Sequence, residues 1–292
     1  MNGIIVIDKA SGMTSHDVVN RVRRILGQRS VGHLGTLDPA ATGVLPLVVG
    51  NLTRLAQFYV HSEKMYEGTI RFGFATDTYD AEGEPTSPAQ TIQLNAEECQ
   101  ALAAHFQGKI EQMPPPFSAK KIAGVPAYKL ARKKEPVELK PVEVEVKEFV
   151  VLVTAGDSLT FRAQVSSGTY LRSIAHDMGQ RHHCGAHLAS LRRTAVAEFS
   201  VEDAHTLSAL EAAVQQGTAE SFFVHPRKLV PQLPCVTANE ESAALIRSGR
   251  AVNLPEMSKS PQVKVFYGQR DLIAIATRIA GTLFHPGIVF AG

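Results

Sequence analysis

The chain has 292 residues, 44% hydrophobic and 20% charged, with a formal net charge of +2. That balance excludes a disordered or fibrous chain, and so small a charge excludes a polyanion binder that works by bulk charge, so any nucleic-acid surface must come from local clusters of Lys and Arg. Cys99, Cys184 and Cys235 are too few and scattered for a disulfide framework, and no apolar run reaches the roughly 20 residues of a membrane span. The opening MNGIIVIDKASG is interrupted by Asp8 and Lys9 too soon for a signal peptide. These features describe a soluble, cytoplasmic protein.

Residues 3–7 (GIIVI) read as a buried strand and 8–14 as a loop. Ser15 is placed to cap a helix whose apolar face is Val18, Val19, Val22, Ile25 and Leu26, ended by Gly27. Arg21, Arg23, Arg24 and Arg29 crowd its end, either as a solvated, dipole-compensating terminus or as a phosphate-contacting cluster. Residues 32–43, GHLGTLDPAATG, set Asp38 among Gly32, Gly35 and Gly43 with Pro39 directly behind it. Glycine permits tight turns, and proline fixes its own φ and pushes its predecessor towards extended geometry, so the Asp38 carboxylate is held in a defined direction. A carboxylate framed this way suits a nucleophile or general base; it equally suits a turn that caps a backbone amide.

A buried strand at 44–49 follows, then a short helix over 53–61, a strand over 65–74, a polar loop over 76–84, and a helix starting at Asn95 with Glu98 placed for a capping box. Pro114, Pro115 and Pro116 break regular structure. Lys120, Lys121, Lys129, Arg132, Lys133, Lys134 and Lys140 come next, interleaved with Phe117 and Tyr128. That mixture suits RNA backbone and exposed bases, or a solvated lysine-rich surface. Residues 142–153 and 159–165 read as neighbouring antiparallel strands, and Thr169 to Arg181 as a helix. Val230 to Pro234, bracketed by prolines, reads as a linker. Beyond it a helix over 239–249 and strands at 262–267, 271–277 and 282–290 suggest a small β-barrel.

GHLGTLDPAATG resembles the catalytic motif of the TruB-type tRNA pseudouridine synthases, GHxGTLDPxAxG. Three further stretches carry the same resemblance: Lys64-Met65-Tyr66 to the K-x-Y strand, SSGTYLRS at 166–173 to S-x-G-T-Y-x-R-[ST], and GAHLASLRRT at 185–194 to GAHLxxLRRT. QMPPPFSAKKIAGVPAYKLARKK is similar to the segment carrying the family's RNA-gripping insertion. Two departures are Ala10, where DKPxGxTS has proline, and Arg54, where G-x-x-T-K has lysine.

The resemblance implies an α+β fold: a mixed, largely antiparallel sheet with flanking helices over residues 1–229, an RNA-gripping insertion at 109–140, and a PUA-like RNA-binding barrel over 230–292. It implies isomerisation of a T-loop uridine of tRNA, at position 55, to pseudouridine. Asp38 becomes the nucleophile, on uracil C6 or ribose C1′. Arg172 orients it, and Tyr66 stacks on the everted base and assists loss of the C5 proton. His33 fills the gap the base leaves, while Tyr170 and Leu191 line its pocket. Lys120, Lys121, Arg132, Lys133, Lys134, Arg192 and Arg193 contact RNA. No cofactor and no guide RNA are expected, and the protein is expected to act as a monomer.

Two other classes remain open: a tRNA-binding or folding protein whose chemistry is secondary, and a nucleoside hydrolase, which would release free uracil. His182, His183, Cys184 and His187 lie close in sequence, but without a second ligand cluster or an H-E-x-x-H pattern they are not read as a metal site.

Overall fold

The computed structural model describes residues 1–118, 121–122, 125–126 and 139–290. The larger sheet has nine strands. Its main path runs β1 (Gly3–Lys9), β3 (Thr42–Val49), β10 (Ala186–Val196), β4 (Lys64–Phe72), β9 (Ser158–Val165), β8 (Val142–Ala155) and β5 (Gly108–Gln112). β2 (Val31–His33) pairs with β3, and β11 (Phe199–Ser200) with β10. Only the β3–β10 pairing is parallel, so the sheet is mixed and largely antiparallel as expected.

β10 sits at the middle of this sheet and was not expected as a strand. Its run AHLASLRRTAV lacks simple alternation because two register shifts, after Leu188 and after Arg193, interrupt the pairing with β4. A bulge inserts a residue and re-aims those beyond it. Between the two shifts Leu191, Arg192 and Arg193 pair in unbroken register with Gly68, Glu67 and Tyr66; Leu191 and Arg192 line a cleft while Arg193 is fully buried.

The first helix spans Ser15–Leu26, with Thr14 rather than Ser15 as its cap. Thr14 and Asp17 form a reciprocal capping box, which leaves the Ser15 hydroxyl free for the Asp38 loop. That helix and the Leu207–Gln215 helix cover one flank of β1 and β3 through Val18, Val19, Val22 and Leu210. The helices Ala96–Ala104 and Leu171–Arg181 cover β4, β8 and β9 through Cys99, Ala103, Ile174 and Met178. The residues after β3 form a 3₁₀ helix, Gly50–Phe58, slightly earlier than expected.

The second sheet has the order β12 (Cys235–Ala238), β14 (Gln262–Tyr267), β15 (Asp271–Ala280), β16 (Leu283–Val289) and β13 (Val252–Asn253). β12 and β13 are its two edges, so the PUA-like unit is a half-barrel, closed on one side by the Glu240–Arg247 helix through Ala243 and Ile246. The crossing into it is not an exposed linker. Leu229 and Val230 are fully buried in a cluster that joins Ile4, Val48 and Phe199 to Phe266, Ile275 and Phe290. The Val230 N–H bonds Glu198 at 3.0 Å and the Tyr59 hydroxyl oxygen at 3.1 Å. From the other side, buried Lys264 donates to the carbonyls of Arg227 and Leu229.

Of the basic residues expected in the insertion, Lys120, Lys129, Arg132, Lys133 and Lys134 lie outside the described residues. Lys121 is described for its backbone alone, paired with Pro126 between β6 (Lys121–Ile122) and β7 (Val125–Pro126).

Candidate active site

The Asp38 loop enters from β2 and leaves into β3. Gly43 fixes its exit: φ is +102°, and a Cβ there would lie 2.2 Å from the Arg193 carbonyl oxygen, so no other residue fits. Three buried side chains tie the loop down. The Arg193 guanidinium donates to the carbonyls of Gly35, Thr36 and Val44 at 3.2, 3.0 and 2.8 Å. The Lys9 ammonium donates to Pro39, Ala10 and Met13 carbonyls at 3.0, 2.9 and 2.8 Å. Ser15 Oγ accepts from the Leu37 N–H at 2.8 Å and donates to the Leu37 carbonyl at 3.0 Å.

Arg193 therefore does not contact RNA. It is fully buried and its donors are spent on backbone carbonyls, so the expectation of a phosphate contact there is corrected. Neighbouring residues of a strand face opposite ways, and Arg192 is the half-exposed one. It holds Asp8 through two parallel bonds of 2.9 Å, a fork geometry that a guanidinium supplies and an ammonium does not.

Asp38 meets Arg172, 134 positions further along the chain: Arg172 Nε lies 3.0 Å from Asp38 Oδ2. Arg172 is buried, whereas the Asp38 side chain keeps 40% of its surface open to solvent. The Nε–H is not aligned for a hydrogen bond, so this contact is an ion pair. The terminal nitrogens do the anchoring. One donates to the Asp80 carboxylate at 3.1 Å and to the Thr78 carbonyl at 3.1 Å, the other to the Phe117 carbonyl at 2.9 Å.

Asp80 escaped the sequence reading. It lies in the polar TDTYDAEGE loop, where acids look solvent-facing, yet it is nearly buried. Its Oδ1 accepts from Thr78 Oγ1 at 2.6 Å and from the Glu82 N–H at 3.1 Å, leaving Oδ2 for Arg172. Tyr79 between them has φ +66° and stacks on His176, ring centroids 3.8 Å apart, one helical turn beyond Arg172.

Asp38, Arg172 and Leu191 stand where two open cavities of about 550 and 560 Å³ meet. Ser11, Glu67, Ser190 and Arg192 line one. Tyr66, Tyr170, Lys64 and Thr169 line the other. Tyr66 and Tyr170 thus share a cavity with Asp38. Burial, with the Asp38 charge adding to it, pushes the Tyr170 phenol up. His33 lines neither cavity; it is half-buried, and burial holds its imidazole below the ordinary range. His187 bonds the Phe74 carbonyl through Nδ1, and His182 lies against Phe72 and Cys184. Among the described residues no group of His, Cys, Asp and Glu converges to hold a metal.

Burial, reinforced by Arg193, pulls the Lys64 ammonium down to about 8 from an unfolded value of 10.5. Burial does the same for Lys9, against the opposing pull of Asp38. Between those values the unfolded chain binds more protons than the folded one, so stability rises as pH climbs from about 8 to about 10.5. Lys64→Met removes its share of that slope. Denaturant midpoints at pH about 7.5 and about 9.5 should differ less in the variant than in the wild type; equal slopes would disprove the assignment.

Residues 23–171 match the TruB family pseudouridylate synthase N-terminal domain, and residues 172–232 the tRNA pseudouridylate synthase B C-terminal domain. The tRNA pseudouridine synthase B of Solibacter usitatus is 49% identical over 292 residues, covering 99% of this chain and 100% of that one. That of Geobacter sulfurreducens is 42% identical over 291 residues, covering 100% and 92%. A chain in a crystal structure of a Cbf5–Nop10–Gar1 complex superposes with a TM-score of 0.72 at 24% identity, over 99% of this chain and 85% of that one, which shows a shared fold. The chain belongs to the TruB family of pseudouridylate synthases. Among the described residues no helix is long and apolar enough to cross a membrane.

Proposed function

We propose that the protein isomerises the T-loop uridine at position 55 of tRNA to pseudouridine. The observation that carries this is the Asp38–Arg172 pair at the junction of two cavities, in a chain of this family. The reaction breaks the N1–C1′ bond, turns the base and joins C5 to C1′. The C5 proton is lost and N1 gains one, so atoms and electrons balance without an acceptor. Asp38 is the nucleophile. Arg172 orients it through the ion pair. Tyr66 stacks on the everted uracil, and its phenol takes part in moving the C5 proton. Tyr170 and Leu191 line the base pocket, and His33 fills the vacated stack. Arg192 and the insertion's Lys120, Lys121, Arg132, Lys133 and Lys134 meet phosphates, which position RNA without reading sequence.

The proposed division of labour is a catalytic unit over 1–229, carrying the insertion at 109–140, and an RNA-binding unit over 230–292. The protein acts as a monomer in the cytoplasm, without a guide RNA. Unmodified tRNA incubated with the protein and mapped by a pseudouridine-specific chemical adduct should show one stop in the T-loop. No adduct, or release of free uracil, would refute the proposal.

A further inference from the structure

We infer that Gln112 is a positioning residue for the reaction: its side-chain amide clamps the start of the Leu171–Arg181 helix and so sets where Tyr170 and Arg172 stand. The inference rests on the function proposed above. Gln112 closes β5 and is 1% exposed. Its Oε1 accepts from the Tyr170 N–H at 2.8 Å, and its Nε2 donates to the Tyr170 carbonyl at 3.1 Å. Only one orientation of the amide satisfies both, so the donor and acceptor ends are fixed by the partners.

Tyr170 is the residue before the helix and has no side-chain cap. The two bonds from Gln112 therefore grip the peptide planes on either side of it. The stretch after Gln112 runs alongside the same turn: Ser173 Oγ donates to the Met113 carbonyl at 2.7 Å, and Arg172 to that of Phe117. Arg172 must meet Asp80, Thr78 and Phe117 at once while its Nε faces Asp38. A pivot of this helix start cannot keep all of those contacts. A shift of about 1 Å at a reacting group can lower a rate by about 10²-fold.

The chemistry of the amide supplies the test. Gln112→Ala removes both bonds. Gln112→Glu keeps the acceptor but, while ionised, faces the Tyr170 carbonyl with negative charge; once protonated it regains a donor. The expected result for Gln112→Ala is a single-turnover rate at saturating tRNA lowered by about 10- to 100-fold, with tRNA affinity held within about threefold. For Gln112→Glu the deficit relative to wild type shrinks as pH is lowered from about 8 to about 6. Destabilisation by a buried carboxylate would also ease on protonation, so each assay is run well below the variant's melting temperature at that pH, where the folded fraction does not change. Gln112→Ala turning over within about twofold of wild type, or losing affinity in place of rate, overturns the inference. If Gln112→Ala does not fold, a Gln112→Glu deficit that ignores pH overturns it. Amide exchange gives a reading that needs no turnover: the Tyr170 amide, held by the Gln112 oxygen, is protected in the wild type and fast in Gln112→Ala. Fast exchange in the wild type defeats the clamp, whereas a wild type that makes no pseudouridine defeats the proposed function.

Discussion

Asp38→Asn should abolish pseudouridine formation, with the single-turnover rate falling by about 10⁴-fold or more, while tRNA binding survives. Asn is nearly isosteric, so the loop keeps its shape. That shape is held by Arg193, Lys9 and Ser15, each bonding backbone atoms of the loop, and none of those bonds uses the Asp38 carboxylate. What is lost is the charge and the nucleophilic oxygen pair. Affinity should hold or improve slightly, because removing a negative charge from a cleft that receives a polyanion reduces repulsion. Filter binding and single-turnover assays on the same preparation separate the two effects. Turnover within about tenfold of wild type would remove Asp38 from the role of nucleophile. Equal loss of rate and binding would instead point to a collapsed loop, which a melting curve would reveal.

The Asp38 loop was legible because its information is local. Glycines and a proline within 12 residues dictate a fixed turn, whatever packs around it. The helices Ser15–Leu26, Ala96–Ala104 and Leu171–Arg181 and the strands β8 and β9 were legible for the same reason, as their periodicity is written in consecutive residues. The inner strand β10 was not, although its neighbours β3 and β4 were. β10 carries His187, Arg192 and Arg193 and is bulged twice, so neither polarity nor alternation marks it as a strand. Had residues 186–196 been read as one, strand geometry alone would have required Arg192 and Arg193 to face opposite ways, and one of them to be inside. Asp80, Lys9 and Gln112 were hidden for another reason. Their meaning lies in partners far along the chain, Arg172, Pro39 and Tyr170 respectively, and nothing near them in sequence shows those partners.

The Arg172 network should prove nearly as demanding as Asp38. Arg172→Lys keeps the charge, yet one ammonium on a flexible stem cannot span Asp38, Asp80, Thr78 and Phe117 together. We expect its rate to fall by about 10²- to 10³-fold, with modest loss of melting temperature. Arg172→Ala should fall further and also destabilise. It leaves Asp80 nearly buried and unpaired, a situation that costs about 3–5 kcal/mol when both partners are fully buried. The Asp38 side of the pair is 40% exposed and adds little to that figure. Asp80→Asn tests the network from its far end. With Oδ1 still taken by Thr78 and Glu82, the new amide nitrogen faces the Arg172 donor, and two donors repel. The guanidinium should then swing from its place beside Asp38, and the rate should fall although Asp80 lies behind Arg172. If Asp80 acts only through Arg172, combining Arg172→Lys with Asp80→Asn lowers the rate by much less than the product of the two single losses. Losses that multiply fully would show two independent roles, and an Arg172→Lys enzyme within about threefold of wild type would show that charge alone, without the fork, suffices to hold Asp38.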